Sequence, residues 1–200
     1  MKQDFITKKI ILASQSPRRK SLIKKLNLYV ETVKPDFDEK LENYSFADDK
    51  IKSLSLQKAL SVLNSNKTDI TLLKNALIVS ADTVVVLDNK IYGKPKDAND
   101  AENMLKTLSG KTHFVATAVS VVDCETQKSL TEIVKTYVTF QNLSSELIKS
   151  YVYDKKPLDK AGAYGIQEMG SEFIKSVDGD LENVIGLPTK TLENMLKEFV

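Results

Sequence analysis

The chain has 200 residues, of which 42% are hydrophobic and 28% charged, the balance of an ordinary globular protein long enough to bury a core. Its formal charge of +2 is too small to argue for nucleic acid or a membrane surface as a partner. Cys124 and His113 are each alone of their kind, which excludes an intramolecular disulfide, a cysteine-based zinc site and any chemistry that needs two histidines. The first residues carry charge but no apolar signal core follows, and no apolar run approaches membrane-spanning length, so the expectation is a cytoplasmic protein.

In chain order, Lys9 to Ala13 reads as a short buried strand, and Ser16-Pro17 as an N-cap with proline at the first helical position. A helix is expected from Pro17 to Leu26 through Leu22, Ile23 and Leu26, followed by an extended segment from Tyr29 to Val33. Residues 46–64 fit an amphipathic helix through Ile51, Leu54, Leu56, Ala59 and Val62, with Lys58 well inside it. The most strand-like run is Ala76 to Leu87, closed by the turn pair Asp88-Asn89. Asp97 or Asn99 could cap a helix over 98–108 that Gly110 stops. Strands are expected over 113–124 and 129–140 and helices over 144–153 and 189–199; Asp159 to Gln167 is a Gly/Ala-rich stretch of the kind that brings backbone close to a ligand. No repeat, linker or low-complexity tract divides the chain, so residues 1–200 read as one domain.

The turn Leu12-Ala-Ser-Gln-Ser-Pro-Arg-Arg19 places Arg18 and Arg19 in the first turn of a helix, where the dipole disfavours cations. An anion at that end would reconcile the placement, with the hydroxyls of Ser14 and Ser16 beside it; the alternative is that both arginines point into solvent. Asp82 interrupts an apolar strand, and burying a carboxylate costs roughly several kcal/mol unless a countercharge or hydrogen bonds compensate it. It therefore lies either at an exposed strand end or in a site, where with Glu39 it could offer oxygen ligands to Mg²⁺ alongside substrate phosphates. Lys58 and Lys94 could serve as point charges for a polyphosphate.

Seven short motifs occur in a fixed order: Leu12-Ala-Ser-Gln-Ser-Pro-Arg-Arg19, Lys58-Ala59, Ser80-Ala-Asp-Thr-Val84, Gly93-Lys-Pro95, Leu108-Ser-Gly-Lys-Thr-His113, Lys160-Ala-Gly-Ala-Tyr-Gly-Ile-Gln167 and Val184-Ile-Gly-Leu-Pro188. In this order they resemble the Maf proteins, from about residue 9 to the C-terminus. The resemblance implies an α/β, inosine-triphosphatase-like fold, a long mixed β-sheet with flanking helices forming two lobes around a cleft. It implies a nucleoside triphosphate pyrophosphatase that uses a divalent metal cation, Mg²⁺ or Mn²⁺, and it suggests a homodimer. Asp82 matches the catalytic aspartate, described as the proton acceptor; Ser14, Arg19, Lys58 and Lys94 match phosphate-binding positions, and Glu39 with Asp82 the metal end. Arg18, Thr83 and Gln167 match the positions associated with base preference, in the combination carried by the branch acting on dTTP and UTP. The branch acting on 7-methyl-GTP typically has Trp at the first of these. A rival reading is a nucleotide-binding regulator of division or septum formation with little turnover.

Overall fold

A computed structural model describes residues 7–37 and 45–200. Its strands are β1 (Lys9–Ala13), β2 (Val30–Val33), β3 (Ala76–Leu87), β4 (Lys90–Tyr92), β5 (Thr112–Asp123), β6 (Ser129–Phe140) and β7 (Ile174–Asp178), and its helices α1 (Pro17–Ile23), α2 (Asp48–Leu63), α3 (Ile70–Leu73), α4 (Ala98–Leu108), α5 (Ser145–Lys155), α6 (Leu181–Ile185) and α7 (Thr189–Lys197). All seven strands form one mixed sheet in the order β2-β1-β3-β5-β6-β7, with β4 on the far half of β3. Helices flank it, which is the α/β class expected from the sequence. No helix of the described residues is long and apolar enough to cross a membrane.

The apolar pattern explains the layers. β1 is parallel to both β2 and β3, and strands in such a setting are covered on both faces. Successive residues of β1 accordingly enter different cores: Ile10 and Leu12 meet Leu77, Val79, Leu192 and Met195 on the α7 side, whereas Ile11 and Ala13 meet Ile78, Ala59 and Val62 under α2. A third cluster lies at the other end of the sheet, where Leu105 and Leu108 of α4 and Ile148 and Tyr151 of α5 surround Phe140 and Tyr164. The long strands β3 and β5 pair antiparallel from Leu77↔Asp123 to Val86↔Phe114 and are buried almost throughout.

Local signals set the element ends. The Ser16 side chain accepts from the Arg19 amide and Pro17 occupies the first turn of α1, which is shorter than the periodicity suggests: it tightens into a 3₁₀ turn over Lys24–Leu26 and ends at Asn27 with φ 53°. Asp88 and Asn89 both take positive φ, 51° and 62°, the backbone that a two-residue hairpin with matched twist requires. The Asp97 side chain caps α4 by accepting from the Asp100 amide.

One gap in the ladder matters for function. β1 accompanies β3 only from Ala76 to Val79, and β4 takes up the same edge only from Val85 to Leu87. Between them, Ser80 to Val84 face no strand of the described residues on that side. The chain leaving β1 turns away at Ser14 into α1, so the end of a parallel strand opens onto this notch, the place where α/β sheets bind ligands.

Candidate active site

Asp82 and Thr83 sit in the notch, midway along β3, so Asp82 is not at an exposed strand end. Opposite them, α2 turns inward a stripe of Ile51, Leu54, Ser55, Lys58, Ala59 and Val62, the spacing of one helical face. Lys58 thus occupies a core position, and its ammonium is ion-paired with Oδ1 of Asp82; the two residues are 4% and 7% exposed. A charge buried on each side of the contact is tolerated because the other is present. Below the pair, hydroxyls lock the helix to the sheet: Ser80 Oγ donates to the Ser55 carbonyl at 2.6 Å and Ser120 Oγ to Ser55 Oγ at 3.0 Å.

Arg19 comes to the notch from α1. Its Nε donates to the Gly186 carbonyl at 2.9 Å and its Nη2 to Thr83 Oγ1 at 3.0 Å. Thr83 is the register partner of Thr117 on β5, their hydroxyls are 3.0 Å apart, and Thr117 Oγ1 donates to the Asn183 carbonyl at 2.9 Å. Arg18 goes to the opposite wall. There its Nη1 meets Asp159 Oδ2 at 2.7 Å, and Asp159 Oδ1 also receives Lys160 at 2.8 Å, which in turn lies 3.3 Å from Glu168. Partial burial pushes the Asp159 carboxyl upward, but hydrogen bonds from Lys160 and Arg18 outweigh it and hold the pKa at about 2.

The stretch expected to approach a ligand does pack tightly. Gly162 takes φ +66°, and a Cβ there would lie 2.7 Å from the Val85 side chain, so only glycine lets this turn rest on β3. The turn carries Gln167, exposed on a 3₁₀ segment, to the cleft mouth. The cleft, open to solvent, has a volume of about 1030 Å³ and is lined by Ser14, Arg18, Arg19, Lys58, Asp82, Thr83, Lys94 and Gln167 among others. Every candidate residue read from the sequence therefore lies along one cavity except Glu39, which falls outside the described residues. Ser14 Oγ accepts from the Ser16 amide at 3.1 Å.

Residues not singled out as candidates from the sequence also line the cavity: Lys34, Lys90 and Lys96 add positive charge, and Asp159 and Lys160 form its far wall. Asp159 and Lys160 lay inside the Gly/Ala-rich stretch, where their charge was the available signal; Thr117 and Asn183 offered none. His113 is buried at 2% exposure, bonded through Nε2 to the Tyr164 hydroxyl at 2.8 Å, and desolvation lowers its pKa to about 4. Burial pushes the Cys124 thiol up to about 11, which leaves it a weak nucleophile.

The profile of the Maf family, described as Maf-like protein, matches residues 9–199. The chain is 44% identical over 192 residues to a protein of Bacillus cereus (strain G9842) named dTTP/UTP pyrophosphatase, covering 96% of both chains. Proteins of the same name from Alkaliphilus oremlandii and Thermosipho melanesiensis are also 44% identical, over 190 and 187 residues; the first match covers 95% of each chain, the second 94% of this one and 96% of its relative.

Proposed function

Because the chain belongs to the Maf-like protein family, we propose that it hydrolyses dTTP and UTP to the nucleoside monophosphate and pyrophosphate, with the notch in β3 as the reacting centre. The observation that carries this reading is the buried Lys58–Asp82 pair beside the Thr83–Arg19 contact, in a cleft with room for a nucleotide. A water molecule attacks the α-phosphorus while the bond to the bridging oxygen of the β-phosphate breaks, so the leaving group is pyrophosphate. Asp82 takes the proton of the attacking water. Arg19, Lys58 and Lys94 offset the charge that builds on the phosphoryl oxygens, and Ser14 hydrogen-bonds them.

Among the described residues no three acidic, histidine or cysteine side chains gather as a metal cage. A hard cation that takes one or two carboxylates and draws its other ligands from substrate phosphates and water needs none. Asp82, a carboxylate at a polyphosphate site, fits that demand, and with Glu39 it would hold Mg²⁺ or Mn²⁺. Such an ion supplies charge neutralisation and makes a bound water more acidic. The Maf resemblance assigns base preference to Arg18, Thr83 and Gln167, which reach the cleft from different walls. Pyrophosphate release from a panel of canonical and modified triphosphates, with Mg²⁺ and Mn²⁺, tests the reading: UTP and dTTP should lead, and absence of turnover with every nucleotide would refute it.

A further inference from the structure

Hydroxyl groups have one proton each, and that arithmetic fixes the direction of the chain running from Arg19 into the core. The Asn183 carbonyl can only accept, so the single Thr117 proton is committed to it at 2.9 Å. Thr117 must then accept across its 3.0 Å contact with Thr83, which commits the Thr83 proton as well. Arg19 Nη2 in turn donates to Thr83 at 3.0 Å. Every donor has one acceptor and the sequence Arg19→Thr83→Thr117→Asn183 has a single polarity.

Asn183 also governs the second anchor of the guanidinium. The Gly186 amide bonds the Asn183 and Glu182 carbonyls, both at 3.0 Å, which sets the turn whose Gly186 carbonyl accepts from Arg19 Nε at 2.9 Å. Asn183 itself is fully buried. Its Nδ2 donates to the Val115 carbonyl at 3.0 Å and to Thr136 Oγ1 at 2.9 Å, and Thr136 is occupied further by Asp180. The guanidinium is thus held at two points that both trace back to one buried asparagine.

We infer that Thr117 and Asn183 are positioning residues for Arg19, and that the Thr83 hydroxyl serves the same end, with no proton to donate to a base. The inference rests on the triphosphate reading for the role of Arg19, and it moves Thr83 from base selection to phosphate binding. Loosening the Thr83 and Gly186 contacts would leave the Arg19 guanidinium less well aimed, and the loss would fall on every triphosphate alike, because the phosphates are common to all.

The test is a double-mutant cycle. Thr117→Val should lower kcat/KM about tenfold to a hundredfold for UTP, dTTP and CTP together, leaving the UTP-to-CTP ratio at the wild-type value, and Thr117→Ser should restore activity. In an Arg19→Ala background Thr117→Val should cost nothing more, a result that a general packing defect would not give. Thr83→Val, at a half-buried position, repeats the cycle should Thr117→Val fold poorly. Affinity for inorganic tripolyphosphate, measured by calorimetry on the same variants, should follow the same pattern without turnover. Additive losses in the cycle, or a changed UTP-to-CTP ratio in Thr83→Val, would overturn the inference while pyrophosphate release by the wild type stood. A wild type that binds tripolyphosphate with the expected cycle but cleaves no nucleotide would uphold the positioning and overturn the proposed reaction.

Discussion

Lys58 of α2 and Asp82 of β3 meet as an ion pair inside the protein, with side chains 5% and 9% exposed. Removing one partner leaves the other charge buried, at a cost of about 3–5 kcal/mol, whereas an apolar pair of similar volume is often neutral or stabilising. Lys58→Met should therefore lower the unfolding free energy by about 3 kcal/mol, and Lys58→Met with Asp82→Leu should recover most of it. Neither protein should turn over UTP. Asp82→Asn keeps the shape but leaves Lys58 without its countercharge, so it should lose stability of the same order as Lys58→Met, and under conditions where it is fully folded its turnover should fall at least about a hundredfold. Denaturant titration and pyrophosphate release measure the two quantities separately, and activity within a few-fold of wild type would remove Asp82 from the reaction.

Asp159 receives Arg18 and Lys160 on one carboxylate, yet its side chain is 55% exposed. Exposed pairs contribute little stability, so Asp159→Asn should shift the unfolding free energy by less than about 1 kcal/mol. Its effect belongs in the cleft, where KM for UTP should rise several-fold at low salt and less at high salt. The folded pKa of about 2 lies below that of a free carboxylate. The bridge therefore stays whole at every pH above the unfolded value and is lost only as pH falls toward 2; the KM difference should not vary between neutral and mildly acidic solution.

His113 supplies an acid sensitivity away from the cleft. Free histidine titrates near 6.5, whereas desolvation lowers the folded value to about 4. Between these values the unfolded chain binds a proton that the folded protein refuses. Stability from this group is complete above pH 6.5 and falls as pH drops toward 4. Between pH 7 and 4.5 wild type should lose about 2 kcal/mol more than His113→Gln. Parallel stability curves for the two proteins would mean that the imidazole is protonated in the folded state.

Gln167 carries both a donor and an acceptor, which suits the carbonyl and imide N–H of uracil and thymine; cytosine reverses part of that pattern. A fully buried mismatch costs about 1–3 kcal/mol; at Gln167, which is exposed, the cost should lie at the low end, about tenfold in preference. Gln167→Leu should flatten the preference for UTP over CTP and leave tripolyphosphate affinity unchanged. An unchanged preference would assign base selection to other groups.

Elements with a strong period or a cap were legible in the sequence: β1, the Ser16-Pro17 start of α1, the Asp88-Asn89 hairpin and the strands β3, β5 and β6. The helix over 46–64 was legible too, but its inward face was drawn through Leu56, whereas the buried stripe runs through Ser55 and Lys58. A lysine reads as solvent-facing until the carboxylate that pairs with it is known. β7 and α6, each five residues long, have no period to detect; β7 forms only against the last residues of β6. Candidate residues in local motifs could be named one by one. The Thr83–Thr117–Asn183 relay could not, because it depends on a strand register linking residues 34 apart and on a turn 66 residues beyond Thr117.

The notch at Ser80–Val84 also limits how this protein can be made hardier. One edge of that segment belongs to the unbroken β3–β5 ladder, among the most buried parts of the sheet, and the other edge is where the chemistry is proposed to occur. Lengthening β1 or β4 to pair this edge would add ladder hydrogen bonds but occlude the cleft. Thermostability and turnover are therefore opposed at these five positions, and selection for a tougher enzyme should find its gains elsewhere, at exposed sites such as Tyr29 and Ile70.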